Sequence, residues 1–68
     1  MNVLKRLTEL LEANNYSVPQ IAKEAGITAS TIYSWYERQT KNIGIESLLK
    51  ICNALGITLA QFFEGVSE

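Results

Sequence analysis

Apolar residues at Val3, Leu4, Leu7, Leu10 and Leu11 recur at the spacing of one helix face, with polar positions between them. The stripe gives out at Asn14–Asn15, which predicts a first helix over 2–14. From there a local pattern recurs four times: an apolar residue, a cap residue, and a second apolar residue four positions after the cap. The sets are Tyr16-Ser17-Ile21, Ile27-Thr28-Ile32, Ile43-Gly44-Leu48 and Ile57-Thr58-Phe62. The cap satisfies free N–H groups of a new helix, and the apolar pair closes a hydrophobic staple over its first turn. Gly44 alone among the caps has no side chain for this. Ser17 with Gln20, and Thr58 with Gln61, add the capping-box spacing. Pro19 falls in the first turn after Ser17, where its missing N–H costs little. Gly26, Gly56 and Gly65 stand where helices should stop. The expected elements are helices over 2–14, 18–25, 29–38, 45–55 and 59–64, and no segment alternates like a strand. This is an all-α pattern: one domain over 1–64, with 65–68 expected to be a flexible tail. Its expected core includes Leu7, Leu11, Ile21, Ala22, Ile27, Ile32, Leu48, Ile51, Leu55 and Phe62.

Composition narrows the function classes. A 68-residue chain is small, and domains near this size bury only ~60% of the surface their unfolded chains expose. With one cysteine and no histidine there is no disulfide or metal site to staple it, so tight apolar packing must do the work. Cys52, in an apolar run, reads as a small core residue in a reducing compartment. No apolar run approaches the ~18 residues of a membrane span and no signal-peptide pattern opens the chain, so a cytoplasmic location is expected. The net charge of −1 advertises no nucleic-acid partner. The charges from Asn14 to Gly44 are Lys23, Arg38 and Lys41 against Glu24 and Glu37, so this middle segment is the least acidic part.

Two helices begin with the same tripeptide and then diverge. "GITLAQFFEG" at Gly56 continues with core-type residues, whereas "GITASTIYSWYERQ" at Gly26 continues with small polar residues and three aromatics. The connection "EAGIT" before the third helix is too short for antiparallel packing, so the second and third helices must cross steeply. Ala22 supplies the small residue that close crossing needs, Gly26 the tight turn, and Ile21, Ala25, Ile27, Ile32 and Trp35 the filling between. This is the spacing of a helix-turn-helix.

The segment "SVPQIAKEAGITASTIYSWYERQTKNIGIESLLKICNALGITLAQFF" resembles the Cro/repressor helix-turn-helix family, also called the xenobiotic-response-element type, of bacterial and phage regulators. The likeness runs from Leu4 to Phe63 and is most specific in "AGITASTIYSW" and "LLKICNALGITLAQFF". It implies a compact five-helix, lambda-repressor-like domain. Its third helix would enter the DNA major groove, as one half of a homodimer on a two-fold symmetric operator. Three positions depart from the family pattern. Val18 stands where a phosphate-touching Gln is usual, Arg38 where the third helix usually ends in Gly, and Ile43-Gly44 where Pro and Ser or Thr are usual. The first weakens one DNA contact, and the others leave the course of the loop over 38–44 open.

Phasing the third helix at about 100° per residue, with Ile32 inward, places Thr28, Trp35 and Tyr36 near the core and Ala29 at the border. The outward strip is Ala29, Ser30, Tyr33, Ser34 and Glu37. Such groups suit base edges: Ser for hydrogen bonds, Ala for a thymine methyl, Glu for cytosine N4. These are also positions the family uses for base contacts. Thr28 is expected to cap its helix and face a phosphate, with Lys41 and Asn42 as further phosphate contacts. Arg38 either joins them or solvates the helix end. From composition alone the outward serines would be plain solvated surface, and Glu37 would repel phosphates unless it met a base donor. The resemblance turns that reading toward DNA. Trp35, Tyr36 and Cys52 read as core.

Enzymatic readings lack parts: no histidine, no aspartate, no glycine-rich phosphate loop, and a cysteine without a base partner. No metal ligand set and no cofactor motif is present. The expected function is thus a sequence-specific transcriptional regulator of double-stranded DNA. Its rival is a protein-interaction module of the same fold, which the low net charge favours. The serine-rich strip disfavours that rival, since protein hot spots are enriched in Trp, Tyr and Arg. The expected pairing surface lies at Leu59, Phe62, Phe63 and Val66.

Overall fold

The computed structural model describes residues 2–64. It holds five helices: α1 Val3–Ala13, α2 Val18–Ala25, α3 Ala29–Arg38, α4 Ile45–Leu55 and α5 Leu59–Glu64. All five fall where the hydrophobic pattern puts them. At α1 the expected outer residues are caps, with Asn2 Oδ1 accepting the Lys5 N–H at 2.9 Å. Both predicted capping boxes form. Gln20 and Ser17 exchange bonds of 2.9 and 3.3 Å, and Gln61 and Thr58 bonds of 2.8 and 3.1 Å. The expected tail, 65–68, and the stop at Gly65 lie outside the described residues.

One device ends four of these helices. A residue of positive φ follows the last turn, and the N–H after it reaches back five residues in a Schellman motif. The bonds are Tyr16 to the Leu11 carbonyl, Ile27 to Ala22, Thr40 to Trp35 and Ile57 to Cys52, all 2.9–3.0 Å. The positive-φ residues are Asn15, Gly26, Gln39 and Gly56. Tyr16, Ile27 and Ile57 therefore close one helix and staple the next, so four residues suffice for the α1–α2 connection and three for each of the α2–α3 and α4–α5 connections. The α3–α4 connection breaks the rule. Thr40 takes the closing position, and Lys41 and Asn42 follow before the buried Ile43 supplies the staple. This settles the course of the loop over 38–44. Arg38 is still helical, and the residue that needs glycine's freedom is Gln39, at φ 54°.

A side chain held in the left-handed region costs roughly 1–2 kcal/mol, partly offset by glycine's own backbone entropy. Gln39→Gly should therefore stabilise the domain by about 0.5–1 kcal/mol in urea unfolding. A neutral or destabilising result would mean that the Gln39 side chain supplies more than its 3.3 Å bond to the Tyr36 carbonyl suggests.

The core joins all five helices. Leu7, Ile21, Ile32, Ile51 and Phe62 have no exposed surface. Ala22 is buried where α2 packs on both α3 and α4, as the close crossing requires. Ile27 and Leu55, expected in the core, are only half-buried. One lies in the connection after α2 and the other is the last residue of α4, so each is covered from one side. Two ties were not legible in the sequence. Arg6 on α1 donates to the Phe62 carbonyl at 2.6 Å and the Gln61 carbonyl at 2.9 Å, holding the end of α5. Thr8 and Tyr36 share a 2.9 Å hydroxyl bond between α1 and α3.

Candidate nucleic-acid interface

Helix α3 is packed along one side through Ile32, with Trp35 and Tyr36 half-buried against the core. Tyr36 is thus committed inward. Burial pushes its phenol above the ordinary value, only partly opposed by the Thr8 bond, so it stays a neutral hydroxyl. On the other side Ser30, Tyr33 and Glu37 are exposed, and Tyr33 is 52% exposed, a large figure for an aromatic. Ala29 and Ser34 are half-buried at the margins of this strip.

Thr28 departs from expectation twice. It is exposed rather than turned toward the core, because its backbone is extended and helical phasing does not apply to a cap. Its hydroxyl makes no capping bond to a backbone N–H. It pairs instead with the Thr31 hydroxyl at 2.7 Å and accepts from Ser30 Oγ at 3.3 Å. The Thr31 N–H bonds the Thr28 carbonyl at 3.1 Å. The N–H groups of Ala29 and Ser30 then have no acceptor among the described residues, at the positive end of the helix dipole. Such an end suits an anion.

The remaining candidates are also at the surface. Arg38 is exposed on the last turn of α3. Thr31, which sequence reasoning passed over, is exposed on the same flank of the helix. Only its hydroxyl bond to Thr28 draws attention to it. Lys41 and Asn42 are exposed in the following loop, at the rim of a groove floored by Val3, Ile43, Leu48 and Phe63. Through this groove they border α1, α4 and α5. Cys52 is buried, and burial raises its thiol above the ordinary value, which leaves it unreactive.

The arrangement is a two-helix unit, α2 packed on α3, whose second helix presents a polar strip and an open N-terminus. Residues 6–68 match the family profile of the Cro/C1-type HTH DNA-binding domain. The chain belongs to this family. No curated protein and no solved structure matches it. A Cro/C1-type HTH domain is a DNA-binding module, and DNA is the partner its family implies. The match begins one turn into α1 and takes in the whole helix-turn-helix of α2 and α3. Among the described residues of this Cro/C1-type domain, no helix is long and apolar enough to cross a membrane.

Proposed function

We propose that this Cro/C1-type domain is a sequence-specific transcriptional regulator that reads the major groove with α3 and acts as a pair on a two-fold site. The observation that carries the reading is the α3 strip. Tyr33 is left half-exposed beside Ser30 and Glu37, while Ile32 is buried and Trp35 and Tyr36 are half-buried. In this reading Ala29, Ser30, Tyr33, Ser34 and Glu37 meet base edges. Thr28, Arg38, Lys41, Asn42 and the free N–H groups of Ala29 and Ser30 meet phosphates. One recognition helix covers ~4–5 base pairs, so two copies about one helical turn apart are needed for a useful site. A location with the DNA, in the cytoplasm, follows from the same reading.

The net charge of −1 favours the rival, a domain of this fold docking a protein through α3. Salt titration separates the two. A phosphate contact releases counterions, so Lys41→Ala should weaken specific and random duplex about equally and flatten the salt slope by roughly one. Unchanged slope and affinity would remove Lys41 from the interface. If binding to a protein ligand disappeared as well, the rival would stand.

A further inference from the structure

Of the pairing surface expected from the sequence, Phe62 is fully buried, Leu59 and Phe63 are half-buried, and Val66 lies outside the described residues. A polar tie at the inner flank of α3 bears on its reading surface instead. The Thr8 hydroxyl lies 3.0 Å from the Leu4 carbonyl and 2.9 Å from the Tyr36 hydroxyl. A carbonyl can only accept, so the single Thr8 proton goes to Leu4 and Thr8 Oγ1 accepts from the Tyr36 O–H. Among the described residues this is the one side-chain hydrogen bond that joins α3 to another helix. The others made by α3 stay within the helix and its caps.

Tyr36 stands three residues after Tyr33, about 60° away on the wheel, the first turned inward and the second outward. Burial of Ile32 and Trp35 holds α3 against the core, but apolar burial is non-directional. A hydrogen bond is directional and weakens steeply as its angle closes. The Tyr36–Thr8 bond is thus suited to fix the roll of α3 about its own axis. The end of α3 offers little else for this. It stops at Gln39, held at φ 54° without glycine's freedom, and runs into the longest connection between the five helices. Side-chain tips stand about 5–6 Å from a helix axis, so a roll of roughly 10° moves them by about 1 Å. That is about twice the tolerance of a well-held binding group. We propose that Thr8 is a positioning residue for the α3 strip: through the Tyr36 hydroxyl it sets the roll at which Ser30, Tyr33 and Glu37 face the bases. Thr8 itself is half-buried on α1, off the strip.

The inference rests on the DNA reading, and its test keeps the two apart. The probes are a duplex carrying a site recovered from random DNA with the wild-type protein and a scrambled duplex of the same length. They are titrated with wild type, Thr8→Val, Thr8→Ser, Tyr36→Phe and the double variant Thr8→Val, Tyr36→Phe, with melting curves alongside. The readout is the ratio of the two affinities. Thr8→Val and Tyr36→Phe should each lower it on the order of fivefold, with scrambled-duplex affinity and its salt slope unchanged, because no phosphate contact is touched. Thr8→Ser keeps the acceptor and should keep the ratio. The double variant should fall no further than either single one, since both remove the same bond. A bond that only stabilised the fold would lower the melting point and leave the ratio in place. An unchanged ratio in either single variant, a Thr8→Ser loss as large as that of Thr8→Val, or additive losses in the double would each overturn the positioning role. Tyr36→Phe, which keeps the ring, decides the matter if Thr8→Val fails to fold. Failure of wild type to distinguish the duplexes would overturn the DNA reading itself.

Discussion

Phe62→Ala should remove most of the stability of the domain. Phe62 has no exposed surface, and its ring is the largest fully buried side chain among the described residues. Truncating such a side chain typically costs 3–5 kcal/mol, from forfeited transfer energy and the cavity left behind. A domain of 68 residues has only about 3–10 kcal/mol in total. The consequences extend to α1, because the Phe62 carbonyl accepts the 2.6 Å bond from Arg6, and a frayed α5 takes that acceptor away. Thermal unfolding should show the midpoint lowered by roughly 12 °C or more, at about 4 °C or more for each kcal/mol in a domain this small. Phe63→Ala, at a half-buried position, should cost much less. Equal and small effects of the two would mean that α5 is not the lid of this core.

The second large effect is on discrimination. Ser30 and Tyr33 stand exposed on the N-terminal half of α3 and belong to no part of the core. The double change Ser30→Ala, Tyr33→Ala should leave melting near wild type. It should lower affinity for the preferred site by roughly 1–3 kcal/mol for each base-edge interaction removed, while random duplex is bound almost as before. Ser30 has a local cost to consider, since its hydroxyl also donates to Thr28 at 3.3 Å. That bond is long and exposed, so its removal matters little beside a base interaction. Equal weakening on both duplexes would make these residues backbone contacts instead. No change on either would remove α3 from DNA.

Much of this fold was legible because the same short signal marks successive helix junctions. A residue tolerant of positive φ, an apolar residue and a cap give both an end and a start, and all three parts are visible in Gly26-Ile27-Thr28 and Gly56-Ile57-Thr58. The signal blurs where side chains depart from it. Gln39 takes a positive φ without being glycine, so the stop of α3 at Arg38 carries no glycine signal, and the family's usual glycine position falls at Arg38, one residue before the positive φ. Thr28 has the right residue type for a cap, but its hydroxyl has a nearer partner in Thr31 Oγ1, a competition that spacing does not show. Arg6 was invisible because its acceptors are backbone carbonyls 55 and 56 positions away. The α3 strip was legible from phase alone, with Ala29 half-buried at the border as the wheel implies and Ser34 deeper than it implies. Ile45 and Leu49 belong to an apolar run with Leu48 and Ile51, and only the fold shows that the first two are exposed and the last two covered.

The central claim, that α3 reads sequence in DNA, is tested most directly by selecting duplexes from a random library with the wild-type protein. The recovered site and a scrambled one are then compared at physiological salt. The account predicts one family of sites with two-fold related halves about one helical turn apart. The recovered site should be bound roughly a thousandfold or more tighter than the scrambled one. No enriched sequence, with both duplexes bound equally or not at all, would contradict it.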